Sequence, residues 1–596
     1  MTSGSTPSKD EGRTALLKKA VYAAAALALI IWLYGPFLAA HLRYALDPYS
    51  YSDDARHHIA PFLRYFDSAL FENDYPTDYY LQALSPILWK GVYFVAAQIM
   101  DPITFSKFLP YPLWLLAMAG LAAAAYRIGG RPAAFACLLF AIPAPVFFDR
   151  MVGGLSRAFA FPLLAWGLYA VTSGRLKLLA LLTVLAAGFY PAPALLLALL
   201  LFFAVIAQHL PARFAIPRGQ DGVPSLKQSA FLLGGTAVLC VLMVAPVLVS
   251  TQPYGKRLTE SDSSSYPEVG AGGRYGNSEH GPHMSYISGF QRYIKSSFLP
   301  RREPYLESLI KKAGLVETKR RSFLFHKKAA FMNGYFIAAC AFLLYAAFSR
   351  RFSQASALRG LILFALSSIA AHAASIAFYP HLFFPQRYLV YTVPLIALTA
   401  FACSLVLAVR LLVRRERLQG PICATVALLA LLCLGGPSKE NEGYITAEPG
   451  LVPLYQFISH LPADSVVAGW PKGVINNVAY LSRRKVFLTS EINQAFHQEY
   501  LNRMRERMEV LMRAYFSRVD LSPLRELRDH YGVTHLIVDL SHFSKGSPPQ
   551  YFLPYGERIP EFLSDPGPQD FLVTQLAEKA AIYRNGRVAI LELEGM

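Results

Sequence analysis

Apolar positions along the chain gather into long blocks separated by short polar stretches. The blocks lie near 20–41, 108–126, 133–148, 158–173, 178–190, 192–209, 229–250, 330–348, 360–378, 389–412 and 420–436. A helix needs about 20 apolar residues to cross a hydrocarbon core of about 30 Å. The pattern therefore predicts about eleven transmembrane helices. Lys18 and Lys19 precede the first block, which is too long for a signal-peptide core and lacks a clear cleavage site. It reads as a retained span with a cytoplasmic N-terminus. With eleven crossings, the basic connections at Arg127/Arg131, Arg175/Lys177, Arg213/Arg218/Lys227, Arg350/Arg351/Arg359 and Arg410/Arg414/Arg415/Arg417 all fall on the cytoplasmic side. Lys319, Arg320, Arg321, Lys327 and Lys328 fall on the other side. Long loops translocate largely regardless of charge, so this cluster does not change the count.

The regions then expected outside are 42–107, 149–156, 251–329, 379–388 and everything beyond about 437. The stretch 83–100 is also apolar, but a crossing there would put Arg127 and Arg131 outside. It is expected to lie along the membrane interface. Past 437 the pattern shortens to strand-like runs at 465–468, 485–489, 534–539 and 588–592. Between them, 494–515 has helical spacing, with Met504, Met508 and Met512 forming one buried stripe. The expected fold class is a mainly α, polytopic membrane module over 1–436, followed by an extracytoplasmic α/β domain over 437–596.

The composition agrees. Of 596 residues, 54% are hydrophobic and only 16% charged, which excludes a disordered chain and a multidomain soluble enzyme. The six cysteines, Cys137, Cys240, Cys340, Cys403, Cys423 and Cys433, all sit inside apolar blocks, so no disulfide framework or thiolate metal site is indicated. The net charge of +18 is spread among the membrane loops and follows no nucleic-acid-binding module. Membrane lipids with anionic headgroups are the expected partners of that charge.

The spans hold almost no ionisable residues, His372 being the main exception. Ion-coupled transporters need charged groups at membrane depth, so any chemistry is expected in the outer loops. The first loop opens Asp47-Pro-Tyr-Ser-Tyr-Ser-Asp53-Asp54-Ala-Arg56-His57-His58 and runs on to Phe71-Glu-Asn-Asp74-Tyr75-Pro76. An acidic pair directly after a span can serve as a general base, or hold a divalent cation such as Mg or Mn beside a phosphate. The competing reading is a solvated helix N-terminus capped by Ser52 or Asp53. The His57/His58 pair is a weak metal candidate, because adjacent side chains point to different sides of a helix.

The turn Asp149-Arg150-Met-Val-Gly153-Gly154-Leu-Ser156-Arg157 adds an acid, two flexible glycines and two arginines suited to phosphate. Its bland alternative is a tight turn with snorkelling arginines. The turn 379–388 offers His381, Arg387 and Tyr388; Arg387 could neutralise a leaving phosphate, and the competing reading is an aromatic belt with one anchoring cation. The loop 251–329 carries Lys256, Arg257, Arg274, His280, His283, Arg292 and Lys295, and its Gly/Ser-rich first half reads as mobile.

One span, an outer loop with Asp53-Asp54, and then Asp74-Tyr75-Pro76 about twenty residues on resemble the GT-C glycosyltransferases. The similarity is greatest to the protein O-mannosyltransferase and aminoarabinose-transferase branch, and the layout also resembles oligosaccharyltransferases. Tyr75 stands where the family's second motif has His. The resemblance implies an inverting transferase of the cytoplasmic membrane that uses a polyprenyl-phosphate sugar donor. Its acceptor would be a protein, lipid or glycan on the outer face. Asp53 or Asp54 would be the base and Asp149 a second acid; any metal would sit on Asp53 and Asp54. Arg56, His58, Asp74, Tyr75, Arg150, Arg157, His381, Arg387 and Tyr388 are the candidate substrate contacts. The rival readings are a lipid-linked sugar flippase or exporter and a non-catalytic membrane scaffold.

Overall fold

The computed structural model describes residues 34–219, 222–274, 286–298, 323–378, 384–434, 439–544, 548–563 and 571–596, with Leu382 and scattered positions of the first apolar block. Among the described residues, six helices are long and apolar enough to cross a membrane: Pro102–Ala141, Pro191–His209, Leu226–Ser250, Ala355–Ala377, Gln386–Leu412 and Glu416–Cys433. Ile87–Ala97, Leu176–Phe189 and Gly334–Phe348 are shorter apolar helices. The chain is a multi-pass membrane protein by this measure.

The first of the six is not one rod. Gly130 takes φ 72° and ψ −162°, a conformation that breaks the helix, and Pro132 follows. The two halves fold back on each other, so that the rings of Tyr111 and Trp114 come within 5.7 and 5.5 Å of Phe148. Two antiparallel helices result where the sequence has the runs 108–126 and 133–148. Arg410 holds the corner by donating from Nη2 to the Gly129 carbonyl at 2.7 Å. At the same end of the bundle, Arg359 donates to the carbonyls of Ala212, Ala215 and Ala347, tying two further connections together. Arginines expected on one side of the membrane thus share one end of the bundle.

The Ile87–Ala97 helix stays at the opposite end. Its 11 residues span only about 16 Å. Trp89 and Tyr93 both donate to the Gly154 carbonyl, and Asp101 just beyond it pairs with Arg483 of the C-terminal region at 2.7 Å. Phe94, Val95 and Ile99 are exposed. An 11-residue helix is too short to cross a hydrocarbon core of about 30 Å by itself.

The C-terminal region opens with a two-stranded ribbon. β1 (Ser50–Tyr51) from the first loop pairs antiparallel with β2 (Ile445–Thr446), joining that loop to the start of the region. A five-stranded sheet follows, made of β3 (Val466–Gly469), β4 (Lys485–Val486), β5 (His535–Asp539), β6 (Ala581–Asn585) and β7 (Val588–Glu592), in the order β4-β3-β5-β7-β6. β4, β3 and β5 are parallel; β7 is antiparallel to β5 and β6 to β7. The run expected at 485–489 pairs only over Lys485 and Val486, and β6 was not anticipated. The helix expected over 494–515 begins at Gln498, and Met504, Met508 and Met512 on it are fully buried. Because β4, β3 and β5 run the same way, the loops after their carboxyl ends emerge on one edge.

Candidate functional site

That edge faces the membrane helices across a cavity of about 1710 Å³. The first loop, the 149–157 turn, the 251–274 loop and the Tyr286–Phe298 helix form its walls, with the Leu226–Ser250 helix, the residues around Arg387 and the loops after the parallel strands.

Asp54 is the N-terminal residue of the short Ala55–His58 helix, yet its side chain makes no capping bond. It is turned instead to Arg157, whose Nη1 donates to Asp54 Oδ2. The cap position thus falls on Asp54, not on Ser52 or Asp53 as the competing reading had it, and no side chain caps the helix there. The glycines of the 149–157 turn make the contact possible. Gly153 has φ 90°, and a Cβ there would lie 2.7 Å from the Ser52 Cβ. Gly154 has φ 61°, and its Cβ would lie 2.5 Å from the Tyr93 hydroxyl. Only residues without side chains let the turn press against the first loop and bring Arg157 to Asp54.

The Arg157 guanidinium holds the Asp54 carboxyl well below the usual carboxylate range, against the opposing effect of burial. Arg387 and His58 act in the same direction. The Asp54 side chain keeps 39% of its surface open. Asp53 is more exposed, at 64%, and is engaged by its neighbour Arg56. Arg56 is itself anchored by donating to Asn477 Oδ1 at 2.9 Å and does not line the cavity.

Both histidines line the cavity despite being adjacent. His58 packs edge-on to Tyr80 at 5.0 Å, and burial lowers its pKa to about 4. His57 is only 4% exposed, neither ring nitrogen has a hydrogen-bond partner, and burial with the nearby Arg56 charge keeps it neutral.

Asp149 and Arg150 line the cavity, with Arg150 Nε 3.3 Å from Asp149 Oδ2. Arg387 enters from another wall and donates from Nη1 to the Tyr190 hydroxyl at 2.8 Å. Asp54, Asp149, Arg150, Arg157 and Arg387 thus converge on one space.

Other expected contacts do not join it. Asp74 accepts from the Thr77 backbone N–H at 3.1 Å and caps the Tyr75–Ala83 helix. Tyr75 stacks on Tyr500 at 5.5 Å, with the Arg503 guanidinium 4.4 Å from its ring centroid. Their helix instead delivers Tyr80 to the cavity. Tyr388 is buried and donates to the Leu382 carbonyl at 2.9 Å. Packing and capping claim these residues. His381 lies outside the described residues, as do His280 and His283.

The described start of the long loop, 251–274, is fastened, contrary to its Gly/Ser-rich composition. Leu258 N–H donates to the Phe496 carbonyl and Gln498 N–H to the Lys256 carbonyl, both at 2.9 Å. Arg505 forks onto the buried Glu268 carboxylate, with Nε 2.8 Å from Oε1. Gly272 and Arg274 of this loop line the cavity.

Tyr190, Tyr391, Glu491 and Gln494 also line the cavity and were not anticipated. Tyr190-Pro191 breaks the apolar pattern between two helices, and this was the available signal for Tyr190. No pattern marks the C-terminal pair.

Among the described residues, no group of three or more His, Cys, Asp or Glu is placed to hold a metal ion. Each acid of the first-loop pair already faces an arginine. These residues do not fit a divalent cation.

No family model matches the chain, and no curated protein matches it. Solved structures similar to it include the Archaeoglobus fulgidus oligosaccharyltransferase, at 12% identity and TM-score 0.41 over 85% of this chain and 68% of that one. ArnT from Cupriavidus metallidurans bound to undecaprenyl phosphate is similar at 13% identity and TM-score 0.43, over 95% of this chain and 98% of that one. The mycobacterial arabinofuranosyltransferase AftD gives 14% identity and TM-score 0.36, over 85% of this chain and 35% of that one. At such identities and scores, neither activity nor ligand is carried across.

Proposed function

We propose that the protein is a GT-C-type membrane glycosyltransferase that moves a sugar from a polyprenyl-phosphate donor to an acceptor on the outer face of the cytoplasmic membrane. The observation that carries this reading is the meeting of Asp54 with Arg157, beside Arg387, in a large cavity with one apolar wall. That wall is Met243, Val244, Val247 and Leu248 of the Leu226–Ser250 helix. The same helix is otherwise almost wholly exposed, as a lipid-facing helix would be. A lipid carrier reaching in along it would set its phosphate among the arginines.

In this reading the acceptor hydroxyl attacks the anomeric carbon, the bond from that carbon to the phosphate oxygen breaks, and configuration inverts. The hydroxyl proton passes to Asp54. Polyprenyl phosphate leaves with its new charge facing Arg157 and Arg387, whose planar donors suit phosphate oxygens. Asp54 is preferred to Asp53 because its partner comes from a distant wall of the cavity, whereas Asp53 is held by an arginine three residues on. Before donor binds, Arg157 makes Asp54 a weak base. A phosphate that draws Arg157 away raises the basicity of Asp54 when a base is required. The test is purified protein incubated with a panel of radiolabelled polyprenyl-phosphate sugars. Label release that disappears in Asp54→Asn supports the reading; unchanged release in that variant removes it.

A further inference from the structure

The cavity has two chemically different ends. Against the apolar wall stands a polar end made of Lys472, Ser490, Glu491, Gln494 and Tyr551, with Arg274 from the long loop. The five C-terminal groups follow the carboxyl ends of β3, β4 and β5, the edge where open α/β sheets place ligands.

We propose that this end is the acceptor subsite and that the acceptor is a saccharide. The proposal rests on the glycosyltransferase reading for the word acceptor, but its recognition chemistry stands alone. Arg274 Nη2 donates to Glu491 Oε2 at 2.9 Å, so these two charges offset each other, and Lys472 adds one further positive charge. Polar groups are fixed in place by one another, with Gln494 Nε2 donating to the Tyr80 hydroxyl at 3.0 Å and Tyr80 donating to the Glu491 carbonyl at 2.9 Å. Held amide, carboxylate and guanidinium groups match vicinal hydroxyls, and Tyr551 and Phe552, stacked on each other at 4.2 Å, line the same cavity. Addition of an extended peptide as a further strand is closed off, because neither edge strand, β4 nor β6, lines the cavity. A second lipid would need an aliphatic wall, which lies at the other end.

The experiment uses full-length protein in nanodiscs, applied to arrays of hexose, pentose and N-acetylhexosamine tetrasaccharides. Random peptides and anionic-lipid vesicles are spotted beside them. The expected result is retention on at least one tetrasaccharide class. Affinity should fall about tenfold in Gln494→Ala, the loss of one buried hydrogen bond or more, and by less in Lys472→Ala, whose ammonium is exposed. The surface control Glu578→Ala should bind as the parent does. Lys472 is exposed, so its variant folds even if Gln494→Ala does not. Retention on peptides or vesicles that depends on these residues overturns the proposal. So does an absence of tetrasaccharide retention, or retention indifferent to both variants. Donor turnover is not involved: a failed glycosyltransferase reading would show as no label release with saccharide retention intact.

Discussion

Arg157 reaches across 103 residues of chain to donate to Asp54, and the pair joins the first loop to the 149–157 turn in the cavity lining. The contact sets the charge of both partners. Replacing Arg157 removes the largest cause of the low Asp54 pKa and leaves burial, which acts upward. In Arg157→Gln, Asp54 should therefore titrate at higher pH, and the acid limb of the kcat/KM profile should move upward. The parent should show no Asp54 limb above about pH 4, the ordinary carboxylate value. Label-release rates from pH 3.5 to 8 check this. Identical acid limbs would dissociate Arg157 from the base. Asp54→Asn should cost about 10²- to 10⁴-fold in turnover, the usual contribution of a positioned base.

Asp74 belongs to a different argument. As a cap it should matter for stability and not for chemistry. Asp74→Ala removes the acceptor for the Thr77 N–H and should destabilise by about 1 kcal/mol, the usual cost of a lost N-cap. Thermal unfolding in detergent measures the first effect. Label release per folded molecule should stay within a few-fold of the parent; a collapse to the level of Asp54→Asn would return Asp74 to the reaction.

The contrast between Asp54 and Asp74 shows how far the sequence was legible. Both are acids in the first loop, and composition treats them alike. The apolar period reveals helices, since bilayer crossing imposes one length and one polarity on them. The break near Gly130 was visible as the gap between the runs 108–126 and 133–148, marked by Arg127 and Arg131. The strands of the C-terminal sheet were mostly visible, but β6 is short and largely exposed, so burial leaves little pattern on it. Side-chain convergence was not visible. Arg157 was singled out by its turn, but its partner depends on Gly153 and Gly154 pressing onto Ser52 and Tyr93. Glu491 and Gln494 lie on loops after parallel strands, where no periodicity applies.

Two half-buried histidines give a pH signature. Burial lowers the pKa of His58 to about 4, and burial with the Arg257 charge does the same to His497, whose Nδ1 lies 2.8 Å from the Tyr79 hydroxyl. In the unfolded chain each titrates near the ordinary value of about 6.5. Above that pH both states are neutral and the full stability is present. As pH falls from about 6.5 toward 4 the unfolded chain takes up protons that the folded one refuses, so stability falls. The unfolding midpoint should therefore decline across that window, and His497→Gln should flatten the decline. A midpoint rising between pH 6.5 and 4, or an equal slope in the variant, contradicts the assignment.

Arg387 supplies the last test, because it separates donor binding from the base. Its Nη1 is held by the Tyr190 hydroxyl, and its guanidinium carbon lies 5.4 Å from the Phe384 ring centroid, so its position is set before any ligand arrives. A preset cation facing a lipid phosphate contributes to ground-state binding and also to stabilising the leaving group. Arg387→Ala should raise KM for the donor about tenfold or more, since a charge-assisted hydrogen bond to phosphate is worth roughly 1.5–3 kcal/mol. Tyr190→Phe keeps the ring but frees the guanidinium, and should raise KM by less. The added charge of the departing phosphate makes kcat fall as well in Arg387→Ala, whereas Tyr190→Phe should leave kcat close to the parent. Inhibition by free polyprenyl phosphate should weaken in parallel with the KM change. If Arg387→Ala lowers kcat with KM and product inhibition untouched, the arginine does not contact the donor phosphate in the ground state, and the orientation of the donor proposed here is wrong.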